Sequence, residues 1–112
     1  MNEINFSEWE KVDLRVGTIK KVEDIDGADK LYKLEVDLGN EIGKRTICAG
    51  IKQYYSKDKL KDKQIIVVVN LAPRMMRGIE SKGMLLAAGS KENNTCILIS
   101  PEAHIAPGTK IS

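Results

Sequence analysis

Apolar and polar residues alternate in short runs along almost the whole chain, and in only one internal stretch does the spacing turn helical. Period-two alternation puts every second side chain on one face, so each run reads as a strand with a buried side. Val12, Leu14 and Val16 alternate with Asp13 and Arg15, and Ile19 then carries the apolar pattern onto odd numbers just past Gly17. That change of phase predicts a bulge or bend at Gly17. Leu31 to Leu38 reads as a second strand, and Gly39-Asn40 with Gly43 supplies a hairpin turn into a third, Arg45 to Ala49. After Gly50, residues Ile51, Tyr54, Tyr55 and Leu60 fall near helical spacing, which predicts a short helix. Ile65 to Leu71 is β-branched and apolar on both faces, as a strand enclosed in a barrel would be, and Asn70-Leu-Ala-Pro73 ends it. Arg74 to Gly83 reads as a polar loop, Met84 to Ala88 as a fifth strand and Thr95 to Ile99 as a sixth. Asn5 and Glu8 have the spacing of a capping box, predicting an N-terminal helix over Phe6 to Lys11, and Pro101 to Pro107 reads as a loose tail with room for one helical turn.

Three strands, a helix, then further strands, led by a strand long and bent enough to serve both halves of a barrel, is the element order of an OB-fold. The expected fold is therefore all-β: a five-stranded barrel with a helix between strands 3 and 4, a short N-terminal helix and a C-terminal extension. With 112 residues there is room for one domain, 1–112. No apolar run exceeds that of Ile65 to Val69, and the N-terminus is acidic where a signal peptide would be basic and then apolar, so no membrane association and a cytoplasmic location are expected. Cys48 and Cys96 lie in apolar stretches without metal or redox spacing and read as core residues. The only histidine, His104, sits in the tail without a plausible catalytic partner, so no enzymatic activity, cofactor or metal is expected.

The net charge of +2 hides a segregation, because residues 44 to 82 carry +7 and the remainder −5. A basic central segment on a nearly neutral chain points to a local anionic partner. Its lysines at 57, 59, 61 and 63 read more simply as the solvated side of a helix and loop. The sharpest recognition feature is Arg74-Met-Met-Arg77. Arginine's planar fork suits phosphate, and Met75 or Met76 either presses on a sugar or base or points into the barrel. Strands of the barrel offer only Tyr32 as a stacking platform, since Phe6, Trp9, Tyr54 and Tyr55 fall on the helices and read as core or dimer contacts. Recognition of a folded RNA by shape and backbone suits this pattern better than base-by-base reading.

Val12-Asp-Leu-Arg-Val-Gly17, Ala28-Asp-Lys-Leu-Tyr32, Val36-Asp-Leu-Gly39, Arg45-Thr-Ile-Cys-Ala-Gly-Ile51, Val69-Asn-Leu-Ala-Pro73 and Gly78-Ile-Glu-Ser-Lys-Gly-Met84 with Leu86-Ala-Ala88 resemble the tRNA-binding domain found at the C-terminus of methionyl-tRNA synthetases. The same module occurs in endothelial monocyte-activating polypeptide II, in stand-alone tRNA-binding proteins and in CsaA-type export chaperones, and the resemblance spans residues 12–99. It implies an OB-fold that binds the outer corner of tRNA by shape, commonly as a homodimer. By matched position it implies RNA contacts at Lys30, Arg45, Asn70, Arg74, Ser81 and Met84; Arg77 and Lys82 join them on charge. Ser81 reads equally as a donor to phosphate or ribose and as a turn-stabilising hydroxyl, and Met84 equally as contact and core. A start close to the first motif, without a Lys-rich linker, resembles the separately encoded β-chain form, which implies a possible synthetase partner. The Pro107-Gly-Thr-Lys ending resembles the extension that completes the dimer, with Phe6 or Trp9 buried there. The competing reading is a homodimeric, peptide-binding export chaperone on the same fold. The intact Ala-Asp-Lys-Leu-Tyr and Ser-x-Gly-Met-Leu-Leu-Ala-Ala blocks favour tRNA.

Overall fold

The computed structural model describes residues 1–112. Its elements in chain order are α1 (Phe6–Trp9), β1 (Leu14–Asp24), β2 (Tyr32–Asp37), α2 (Gly39–Ile42), β3 (Lys44–Ala49), α3 (Lys57–Leu60) and β4 (Gln64–Val68). There follow β5 (Arg74–Met76), β6 (Ile79–Ser81), β7 (Met84–Leu85), β8 (Ala87–Ser90), β9 (Thr95–Leu98) and β10 (Lys110–Ile111). Five antiparallel strands curl into an OB-like barrel wall in the order β3-β2-β1-β4-β7. The wall closes where residues 81–83 run beside the free edge of β3. There the Lys82 N–H donates to the Thr46 carbonyl at 2.9 Å and the Cys48 N–H to Ser81 Oγ at 3.0 Å.

Strand β1 serves both halves, pairing with β4 from Leu14 to Thr18 and with β2 from Thr18 onward. No bulge lies at Gly17, because the register from Leu14↔Val68 to Thr18↔Gln64 is unbroken. The apolar phase changes there because β1 is buried on its two faces in turn. Leu14 and Val16 pack with Ile66 on the outer face, beneath Val68, Leu86 and Ile111, whereas Ile19 belongs to the main core. Gly17 is wedged at the switch: a Cβ there would stand 2.6 Å from the Val36 side chain and 3.0 Å from that of Leu38. The register shift falls later, between Ile19 and Lys21. Its extra residue lets Ile19 and Val22, three apart, both face the core.

Several elements are shorter than their sequence patterns predict. Helix α1 stops at Trp9 rather than Lys11, although Glu8 does reach back to the Asn5 N–H at 3.3 Å. The segment after Gly50 is not one helix: Ile51 to Tyr55 forms turns, and only Lys57–Leu60 is helical. One turn cannot hold itself in water. It is held by Leu60, wholly buried in the main core and worth about 1.5–3 kcal/mol by that burial, and by Asp24, which pairs with Lys52 at 3.1 Å and Lys57 at 2.7 Å. Strand β4 ends at Val68 instead of Leu71. The run Met84 to Ala88 divides at Leu86, leaving β7 on β4 while β8 turns away to form a hairpin with β9. The tail is neither loose nor helical. Gln64 grips the Ile105 backbone from both sides, at 2.6 and 3.1 Å, and β10 then pairs with Leu14 and Arg15 of β1. Cys48 is buried and Cys96 half-buried, both as free thiols, as their apolar surroundings predict.

Candidate nucleic-acid interface

The stretch read as a loop, Arg74 to Gly83, is mostly a tight hairpin in which Met76 pairs with Ile79 across a two-residue turn. Arg77 (φ 53°) and Gly78 (φ 78°) both take the left-handed backbone that a type I′ turn requires, a conformation uncommon for arginine. Alternation along the strands sends Met76 and Ile79 down onto a small second core of Ile25, Ala28 and Cys48. Met75 and Glu80 consequently face outward, with Met75 68% exposed. Underneath, Ser81 fastens the hairpin to β3. The Cys48 thiol is pushed up from its ordinary value by burial, as befits packing rather than reactivity.

Two clefts border this hairpin, one along β6 and one at its turn. One, of about 600 Å³, gathers Lys33, Lys44, Arg45 and Lys82 around Thr46, with Glu80 as its carboxylate. The other, of about 540 Å³, lies between the Gly27 to Leu31 loop and the turn, and brings Lys30 and Arg77 together with Asp29. Lys82 meets Glu80 at 3.4 Å and Lys44 meets Glu35 at 3.7 Å, both at the surface, where such pairs are weak. Lys30, Lys33, Arg74 and Arg77 take part in no ion pair.

The residues expected at the interface therefore separate into two groups. Lys30 with Arg77, and Arg45 with Lys82, line the two clefts, while Arg74 is exposed at the base of the hairpin, opposite Ser81. Part of the Arg45 guanidinium is already used, donating to the Val69 carbonyl at 2.6 Å. Met84 lies on the edge of β7 at 44% exposure, so it is surface and not core. Asn70 and Ser81 stand apart. The Asn70 amide accepts from the Asp13 N–H at 2.9 Å and donates to the Lys11 carbonyl, tying the segment before β1 to the end of β4. Ser81 is 4% exposed and its oxygen serves Cys48. Tyr32 is no stacking platform, since it is buried with its hydroxyl donating to the Tyr55 carbonyl at 2.8 Å.

Sequence reasoning passed over Lys33 and Lys44. Lys33 alternates with buried Leu34 on β2 and was legible as an outward cation, but only the fold sets it beside Lys82. Arg15 was also missed. Its side chain, 13% exposed, donates to Asp13 at 2.7 Å, to Glu41 at 3.3 Å and to the Gly108 carbonyl at 3.2 Å, linking β1, the α2 connection and the C-terminal extension. The bond from Arg15 holds the Asp13 carboxyl below its ordinary range, against the opposing effect of burial. Phe6, Trp9 and Val12 line a separate apolar depression with Ile111.

A family model described as "Putative tRNA binding domain" matches residues 14–110. The methionine–tRNA ligase of Thermococcus onnurineus is 47% identical over 108 residues, which cover 96% of this chain and 14% of the ligase. That of Pyrococcus horikoshii is 46% identical over 111 residues, 99% of this chain and 15% of the ligase. The chain thus spans only 14–15% of the length of these relatives. Among solved structures, a MetRS related protein from Pyrococcus horikoshii superposes with a TM-score of 0.91 at 36% identity, covering all of both chains. The chaperone CsaA of Bacillus anthracis superposes with a TM-score of 0.87 at 32% identity, over 99% of this chain and all of the other.

Proposed function

Because this chain belongs to the tRNA-binding domain family, we propose that it binds folded tRNA through backbone and shape, without catalysing a reaction on it, as a single domain. The observation that carries this reading is the pair of basic clefts bordering the β5–β6 hairpin, with Lys30, Lys33, Arg74 and Arg77 outside every ion pair. A guanidinium or ammonium not already neutralised is what a phosphate displaces counterions to reach. The burial of Tyr32 supports shape over stacking, because a threaded single strand would want exposed aromatic rings along the barrel. The outer corner of the tRNA is the proposed place of contact, and association with an aminoacyl-tRNA synthetase is part of the proposal, since the matched relatives are ligases. A cytoplasmic location would follow from that partner; no helix is long and apolar enough to cross a membrane.

Gel-shift titration against mixed tRNA tests this. Arg74→Glu with Arg77→Glu is expected to abolish the shift, and in the native protein log affinity is expected to fall with log salt by about 0.7–0.9 per phosphate contacted. Unchanged affinity in the folded double variant, or a complex indifferent to salt, would sink the site. Similarity to CsaA structures, together with exposed Phe6 and Ile97, supports a second reading as a peptide-binding chaperone. Binding of unfolded peptides by the native protein, with no shift of tRNA, would favour that reading.

A further inference from the structure

The hairpin borders both basic clefts, one along β6 and the other at its turn. It sits on Cys48, midway between Thr46, which lines one cleft, and Gly50, which lines the other. At about 3.3 Å per residue these flanks are roughly 13 Å apart along β3 and its continuation. Cations thus stand along β6 and at the turn of a raised element whose crest is different in kind. The crest carries an exposed methionine, Met75, beside a carboxylate, Glu80, which also borders the β6 cleft and pairs there with Lys82 at 3.4 Å. A carboxylate is badly placed against a phosphate chain, but it suits a surface of hydroxyl donors. An apolar thioether likewise suits ribose and base edges.

Resting on the tRNA reading above, we propose that the β5–β6 hairpin is a ridge that seats in the shallow minor groove of an A-form RNA helix. Lys33 and Lys82 meet the phosphates of one strand and Lys30 and Arg77 those of the other. Met75 and Glu80 face the groove floor, the carboxylate accepting from 2′-hydroxyls. The minor groove of A-form RNA is wide, shallow and lined by those hydroxyls, whereas the major groove is too deep and narrow for side chains to read. A single strand fits the same surface less well, because its backbone would have to climb the ridge between two separate basic clefts, with no exposed aromatic ring along the way. The ridge is stiff enough for the task. Met76 and Ile79 anchor it from below, and the Arg77-Gly78 turn admits few alternatives.

The test is competition for the tRNA complex of the full chain by a short blunt RNA duplex, a DNA duplex of the same sequence and an unpaired RNA strand. The RNA duplex is expected to compete, and the DNA duplex about tenfold less well because it lacks the 2′-hydroxyls. Glu80→Ala is expected to narrow that preference. Lys30→Glu with Arg77→Glu, and separately Lys33→Glu with Lys82→Glu, are each expected to weaken tRNA and RNA duplex together and to reduce the salt slope by about 0.7–0.9 per lost contact. If tRNA binds but the RNA duplex does not compete, or the unpaired strand competes as well as the duplex, the ridge-in-groove proposal is overturned while the tRNA reading stands. Binding to no RNA at all overturns both.

Discussion

Ser81 and Asn70 show how a residue that lies in a recognition motif can be occupied inside the protein. The Ser81 oxygen satisfies the buried Cys48 N–H, and removing it would leave that donor without a partner. Ser81→Ala is therefore expected to cost about 1–3 kcal/mol of stability, read as a lower urea midpoint, with tRNA affinity unchanged in the folded variant. A loss of affinity without a loss of stability would return Ser81 to the contact surface. Arg15 and Asp13 make a second residue-level case. Folding favours the charged Asp13 carboxylate, since the bond from Arg15 lowers its pKa. The resulting stabilisation is complete above the unfolded value, near pH 4, and is lost as pH falls through the lower folded value. Asp13→Asn is expected to trail the native protein by a constant margin near neutrality and to converge with it below about pH 4. Denaturation curves that stay equally separated down to about pH 2 would show that the pair does not contribute in this way.

At the scale of elements, the decisive events are where strands change partner. Gly17 marks such a place, and its lack of a side chain is what lets Val36, Leu38 and Val67 close over β1. Gly17→Val is expected to destabilise the barrel by about 1–3 kcal/mol or more through overpacking, visible as a drop in Tm with the sheet content retained in the folded fraction. A variant as stable as the native chain would mean that β2 can shift outward at no cost. The same partner change explains a misreading. Alternation shows which residues are buried but not against what, so two buried faces in succession look like a bulge. The hairpin β5–β6 was hidden for a related reason: its strands are three residues each and one carries Arg-Met-Met, while its turn has an arginine where Asn or Gly is usual. Nothing in that stretch reads as a hairpin until Ile25, Ala28 and Cys48 are placed beneath it.

For the whole molecule, the two ends of the chain meet at an apolar depression that shares no lining residue with the basic clefts, where Phe6 is 72% and Trp9 42% exposed beside Val12 and Ile111. We propose that a homodimer forms through this face, and Phe6→Glu with Trp9→Glu is expected to convert it to monomers in sedimentation or light-scattering measurements. A native protein that sediments as a monomer across the accessible concentration range would sink the dimer. The all-β class, the hairpin β2–β3, the order of the elements along the chain and the basic character of its middle were all determined by the sequence itself. Each rests on local alternation, turn residues or summed charge, which a linear reading can count. Only the tertiary structure decided that Lys33 and Lys44 join Arg45 and Lys82, that Lys30 faces Arg77, that Ser81 turns inward, and that the exposed Asn70 amide is taken up by the Asp13 and Lys11 backbone. Those outcomes depend on which strands become neighbours across the closed sheet, and side chains brought together by closure carry no mark of it in their own spacing.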